Sequence, residues 1–295
     1  MGSRARSEAA GSDAASSGRV PVRIAHISDL HHDGSPTRRA AIAEALSEVL
    51  RVEPDAVVVS GDLTDDGSRD CFAEVTELLA PLEGTPTIVV PGNRDVRQCL
   101  PEGRPAGQLR RAVRSMREVD AHDLVVGDAP SPLEFARWFG AANLVHRTDR
   151  LVVVGIDTNR SVPRRVLASA REAFLAAPAG AMRVLVQHHP LLPVPDKKLA
   201  GGDITRNAGD LIELAVEAGV DVICSGHHHR SHVASIHWEG THVQLSMAPM
   251  LAVSSDRKHR GYHLIEQVPG GTRIQAIRTD LPAPAPAAGP SHAVR

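Results

Sequence analysis

Five short stretches carry side chains that can bind metal ions. They are Asp29-Leu30-His31-His32-Asp33, Gly61-Asp62-Leu63-Thr64-Asp65, Gly92-Asn93-Arg94-Asp95, His188-His189-Pro190 and Gly226-His227-His228-His229. Carboxylate and amide oxygens with neutral imidazoles suit Mn, Fe, Zn or Co. The absence of a Cys-x-x-Cys pair argues against a closed structural zinc site. In Asp29-x-His31 and His227-x-His229, both side chains of a pair face one side if the chain there is extended. Two, one, one, one and two donors make seven, too many for one ion and enough for two that share a carboxylate. Taken singly, each stretch has an ordinary reading. Asp29 can cap a helix or form an Asx-turn, Gly-Asp and Gly-Asn are common turn pairs, and a lone histidine is usually structural. Their occurrence in order, each at the end of an apolar run, is what carries weight.

The runs that must position them are short and rich in β-branched residues. Val22–Leu30, Ala56–Leu63, Thr87–Asn93, Leu151–Thr158, Arg183–Pro190 and Val220–His229 read as buried strands, with Thr87–Val90 a central one. Amphipathic helical segments alternate with them. In residues 37–54, Ile42, Leu46, Val49 and Leu50 share one helical face and Pro54 follows the end. Segments 70–84, 162–177 and 207–220 behave likewise. Strand–helix alternation predicts a largely parallel sheet covered on both faces. Ligands of open α/β sheets bind outside the carboxyl ends of the strands, so distant residues should converge on one rim. Gly61, Gly92 and Gly226 would permit sharp turns and close backbone approach there. After Ser231 the strands follow one another without helices and read as an antiparallel meander, forming a second sheet or an edge.

The chain of 295 residues is long enough for one large α/β domain, here placed at 20–280. Residues 97–145 read as a helical insertion positioned to cover a site. Residues 1–19 and the Pro/Ala-rich 281–295 read as disordered tails. Aromatics are 2% of the chain, so the core must come from Val, Leu, Ile and Ala. A formal net charge of −2 offers no basic excess for nucleic acid or a membrane surface. Three widely spaced cysteines, Cys71, Cys99 and Cys224, and the lack of an apolar leader point to the cytoplasm. Oligomeric state, a homo-oligomer included, is open at this level.

The set Asp-Leu-His, Gly-Asp-Leu-Thr-Asp, Gly-Asn-Arg-Asp, His-His-Pro and Gly-His-His-His resembles the calcineurin-like metallophosphoesterase superfamily. The texture is most similar to the bacterial class III cyclic-nucleotide and glycerophosphodiester phosphodiesterases, over about residues 22–277. The resemblance implies a four-layer α/β/β/α sandwich with two mixed β-sheets. It implies one metal held by Asp29, His31, Asp62 and His229, and a second by Asp62, Asn93, His188 and His227. Asp62 would bridge the two ions together with a hydroxide, and that hydroxide would attack a phosphate ester. His188 is preferred to His189 because the family ligand precedes the proline by two. His32, His189 and His228 are expected to point away or to support the ligands. The implied partner is a small phosphate-ester substrate, most simply a phosphodiester.

Arg94 departs from the family pattern, in which a histidine follows the asparagine, pairs with the equivalent of Asp65 and assists the leaving group. Arginine keeps its proton up to a pH above about 12, so it cannot serve as a general acid. It can grip phosphate oxygens in a bidentate manner and offset charge building on them. Asp62, Asn93, Arg94 and Asp65 are therefore the candidate catalytic residues. Three readings stand. Arg94 clamps a phosphate in an active enzyme; the pyrophosphatases acting on UDP-diacylglucosamine, which also resemble this chain in having Arg here, make a nucleotide-type pyrophosphatase the alternative substrate class. Or Arg94 only pairs with Asp65 and activity is reduced. Or the protein is a metal-binding scaffold with little turnover.

Overall fold

The computed structural model describes residues 21–96, 133–195, 197, 202–238, 240–252 and 260–279. The tails read at 1–19 and 281–295, and most of the 97–145 insertion, lie outside the described residues.

Two mixed sheets stack face to face. The first has the order β11-β10-β1-β2-β3, from β1 (Arg23–Ile27), β2 (Ala56–Val59), β3 (Thr87–Val89), β10 (Tyr262–Val268) and β11 (Gly271–Ile277). The second has the order β4-β5-β6-β7-β9-β8, from β4 (Leu144–Arg147), β5 (Leu151–Gly155), β6 (Met182–Val186), β7 (Val222–Ser225), β8 (His232–Trp238) and β9 (Thr241–Met247). Strands β1, β2 and β3 run parallel, as do β5, β6 and β7. Each parallel step is a helical crossover or a long excursion, so the ends that carry polar residues fall on one rim.

The strand periodicity divides the apolar side chains between layers. Ala25, Ile27, Val57 and Val59 face α1 (Pro36–Arg51) and α2 (Arg69–Leu79). Their neighbours Ile24, Ala56 and Val58 turn inward and meet Val153, Val184, Val186 and Val222 of the second sheet. On the far side, Val152, Val154, Leu185 and Ile223 pack on α4 (Arg164–Leu175) and α5 (Ala208–Glu217). The result is the expected α/β/β/α sandwich. Helix α1 buries Ile42, Ala45, Leu46 and Val49, and its Ser35 cap accepts a 3.3 Å bond from the Arg38 N–H, with Pro36 pre-set in the first turn. Ser68 caps α2 through the Cys71 N–H in the same way.

Three expectations change. The run at Thr87 forms an edge strand, not a central one, although Ile88 and Val90 are buried between the sheets. The strands after Ser231 do not form one meander. The β8–β9 hairpin extends the second sheet through β9, while β10–β11 extends the first through β10 against β1. The described end of the insertion holds α3 (Leu133–Phe139), whose Phe135 and Phe139 pack on Phe72 of α2, and then runs directly into edge strand β4.

Candidate metal centre

The rim is built by backbone first. Beyond β1 and β2 the chain continues the ladder: the N–H groups of Asp29, His31 and His32 donate to the carbonyls of Gly61, Asp62 and Leu63 at 2.9–3.0 Å. The two loops therefore travel side by side and present Asp29, His31 and Asp62 together. Five candidate ligands sit at positive φ: Asp29 (52°), His31 (46°), Asp62 (50°), His227 (73°) and His229 (57°). Glu53, at the end of α1, is the one other non-glycine residue with positive φ among the described residues. A non-glycine residue in this region costs roughly 1–3 kcal/mol, and such strain concentrates where side-chain aim matters more than comfort.

Two glycines make the convergence possible. A Cβ on Gly92 would overlap the backbone nitrogen and Oδ1 of Asp62, and one on Gly226 would overlap Ser28 Oγ and Asp29 Oδ2. The turns after β3 and β7 thus press directly on the ligand carboxylates. Asp95, given no role by the sequence, closes the arrangement. Its carboxylate accepts from the Leu63, Thr64 and Gly92 N–H groups and from Thr64 Oγ1 at 2.8–3.1 Å. Burial, with Asp62 adding to it, pushes Asp95 up to about 6.

The seven candidate ligands fall into two pockets that share Asp62. In the first, His31 Nε2 and His229 Nε2 face each other at 2.9 Å, with Asp29 Oδ1 at 3.6 and 3.3 Å from them and Asp62 Oδ2 3.6 Å from His31. In the second, Asn93 Oδ1 lies 3.1 Å from His188 Nε2 and 2.9 Å from His227 Nδ1, and Asp62 Oδ1 lies 3.5 Å from His188 Nε2. Ligands bound at about 2.1 Å stand about 3.0–3.4 Å apart at octahedral or tetrahedral angles, so both spacings fit a cation. Ring nitrogens aimed at one point repel as bare lone pairs, and a shared positive charge removes that conflict. The residues present therefore fit two ions.

Electrostatics agrees. Burial alone would raise Asp29, but hydrogen bonds to His229 and His31 outweigh it and hold the carboxyl well below its usual range. Burial, with His188 and His189 nearby, pushes His227 down to about 2, so its imidazole is neutral and keeps a lone pair. His188 Nδ1 lies 2.8 Å from the Ser60 carbonyl, which takes the ring proton there and leaves Nε2 free for a ligand role. His31 Nδ1 faces Asp65 Oδ1 at 3.1 Å with the same effect. Asp65 thus lies behind a candidate ligand, His31. Arg94 reaches the same Asp65 oxygen at 3.6 Å, while its backbone N–H donates to Asp62 Oδ1 at 2.7 Å.

The neighbouring histidines divide. His32 turns to Glu74 of α2 at 2.7 Å. His228 Nδ1 accepts from the Lys197 ammonium at 2.5 Å. His189 sits nearer the centre than expected. Its Nδ1 meets Thr158 Oγ1 at 3.1 Å, yet it offers a nitrogen within 4.8 Å of those of His188 and His227. The donors that converge here stand out in the sequence because metal ions demand particular atoms. Asp95 does not stand out in this way, since its partners are three backbone N–H groups and the Thr64 hydroxyl.

An α/β/β/α sandwich with two clusters of candidate metal ligands on its strand-end rim fits the metallophosphoesterase class. The calcineurin-like phosphoesterase model matches residues 22–231, and the chain belongs to that family. Among curated proteins, it is 34% identical over 88 residues to the glycerophosphodiester phosphodiesterase GpdQ of Enterobacter lignolyticus, covering 27% of this chain and 31% of that protein. It is 32% identical over 87 residues to the 3',5'-cyclic-nucleotide phosphodiesterase alr5338 of Nostoc sp., covering 26% and 32%. The matches thus span about a third of each relative. Among solved structures, the purple acid phosphatase PPD1 of yellow lupin is similar with a TM-score of 0.56 at 12% identity, over 90% of this chain and 52% of that one. A dimetal phosphatase of Danio rerio is similar with a TM-score of 0.51 at 12% identity, over 88% and 96%. These structures share the fold.

Proposed function

We propose that the protein is a metal-dependent phosphoric ester hydrolase with a dinuclear centre, acting on a phosphodiester. Asp29, His31, Asp62 and His229 would hold one ion, and Asp62, Asn93, His188 and His227 the other. When bound, a pair of cations supplies charge neutralisation at a phosphate and lowers the pKa of water between them. The chain's own residues do the rest. Asp62 divides its two oxygens between the pockets, and the Arg94 N–H fixes its orientation. Asp65 and the Ser60 carbonyl set the tautomers of His31 and His188. The Arg94 guanidinium stands at the rim, one-third exposed, where it can meet a phosphate oxygen and offset developing charge.

The observation that carries this reading is the convergence of seven donors from the ends of β1, β2, β3, β6 and β7 at ligand-to-ligand spacings of 2.9–3.6 Å. The partial likeness to two phosphodiesterases supports a diester over a monoester. Arg94 supports a second substrate class: with no histidine to protonate it, a phosphate leaving group, as in a nucleotide-type pyrophosphate, would depart unaided. The buried free thiols of Cys71 and Cys224 are consistent with a reducing, cytoplasmic setting. No helix among the described residues is long and apolar enough to cross a membrane.

The test is hydrolysis of bis(p-nitrophenyl) phosphate with Mn²⁺, beside the monoester and a nucleotide pyrophosphate. Diester turnover lost in Asp62→Ala is the expected result. Metal-loaded protein inert on all three substrates would leave the scaffold reading in its place.

A further inference from the structure

His227 serves the second pocket through Nδ1, 2.9 Å from Asn93 Oδ1 and 3.3 Å from His188 Nε2. An imidazole whose Nδ1 holds a cation must carry its proton on Nε2. That atom is buried and has no hydrogen-bond partner. A buried donor left unsatisfied is destabilising, so it calls for an acceptor. A carboxylate lies close by: Asp203 Oδ1 is 3.7 Å from His227 Nε2, with only 18% of its side chain exposed. Asp203 belongs to the connection between β6 and α5. Two of its described residues meet the Gly226–His229 turn: Asp203 lies beside His227, and Lys197 donates to His228.

The other two ligand histidines with a defined second nitrogen show the same plan. His31 is backed by Asp65 at 3.1 Å and His188 by the Ser60 carbonyl at 2.8 Å. We propose that Asp203 is the positioning residue of the second pocket: it accepts the Nε2 proton of His227, fixes the tautomer that leaves Nδ1 free, and raises the basicity of that nitrogen toward the cation. Closing the contact from 3.7 Å to hydrogen-bond length needs a shift of less than 1 Å. The Asp203 loop thereby becomes the element that sets the strength of the second pocket. The first pocket does not depend on it.

The inference rests on the two-ion reading, and the experiment separates their failures. Mn²⁺ binding to the metal-free full chain is measured by calorimetry for wild type, Asp203→Ala and Asp203→Asn, with a melting temperature for each metal-free variant. The expected result is a second binding event weakened roughly 10–100-fold in Asp203→Ala and a first event unchanged. Asp203→Asn, which keeps an accepting oxygen, should recover part of the loss, and the metal-free melting temperatures should agree. Two events of wild-type strength in Asp203→Ala overturn the role of Asp203 alone. A general loss, with both events weakened and the metal-free fold destabilised, also overturns it. A wild type that binds no second ion overturns both the role and the two-ion reading.

Discussion

Arg94 is the residue whose type and place disagree most with a simple account of the rim. Its backbone is built in, through the bond to Asp62 Oδ1, while its side chain is only loosely paired with a half-exposed Asp65. An ion pair that open is worth about 0–1 kcal/mol, so Arg94→Ala should leave the melting temperature nearly unchanged. Loss of one well-placed donor to a developing phosphate charge costs about 10²–10³-fold in turnover. Arg94→Ala should therefore lower kcat by about that factor at wild-type metal content, as read by steady-state kinetics with metal analysis. Wild-type kinetics would remove the clamp. The candidate donors that the structure brings together were legible because cations require carboxylates, imidazoles and an amide oxygen, and those atoms stand in order along the chain. Asp95 and Asp203 were not legible. One binds backbone N–H groups some thirty residues away, the other faces a ring nitrogen across a loop, and neither relation leaves a spacing in the sequence.

Elements were readable where a hydrophobic period ran long enough and hidden where pairing alone defined them. Helix α1 declares itself through Ile42, Leu46 and Val49 and a Ser-Pro start. Strand β4 alternates half-buried and exposed residues over only four positions, too few to distinguish from a loop. Thr87–Val89 is apolar enough for a central strand, but edge or centre is decided by which partners the backbone finds. The turns ending β3 and β7 are the elements on which aim depends most. In Gly226→Ala the new methyl must displace both Ser28 Oγ and the Asp29 carboxylate. Overpacking of this kind costs about 1–3 kcal/mol. Denaturant unfolding should register that loss, and the variant should bind Mn²⁺ more weakly than wild type. Unchanged stability and metal content would mean that the turn after β7 does not support Asp29.

At the scale of the molecule, the two sheets meet through an apolar layer crossed by a polar seam. Ser60 bonds His26 Nε2 at 2.9 Å, His26 Nδ1 and His263 Nδ1 both meet Ser246 Oγ at 2.8 Å, and His263 Nε2 meets Ser231 Oγ at 2.8 Å. His26 and His263 come from the first sheet and Ser246 from the second, so the seam stitches the sandwich. The groups facing His263 are Ser231, Ser246, His26 at 6.1 Å between ring centroids, and His232. Burial, with His232 nearby, pushes His263 down to about 4 from its ordinary 6.5. The folded ring thus binds its proton less readily than the unfolded one. Its contribution to stability is full above pH 6.5 and is lost as pH falls toward 4, by on the order of 3 kcal/mol. Metal-free His263→Gln should lose less stability than wild type between those pH values in urea titrations. Equal slopes would show that His263 does not carry this dependence. The sandwich was expected from strand–helix alternation, whereas the division of the last four strands between the two sheets was not. Hairpins carry no mark of the sheet they will join.

The most direct measurement is the number of metal ions per chain. Wild-type protein equilibrated with Mn²⁺ and freed of excess by gel filtration should hold two by mass spectrometry. Asn93→Ala and His229→Ala, each altering one pocket, should retain one, and Asp62→Ala should lose the pair. A wild-type chain that retains no ion, or variants that all match it, would contradict the dinuclear centre.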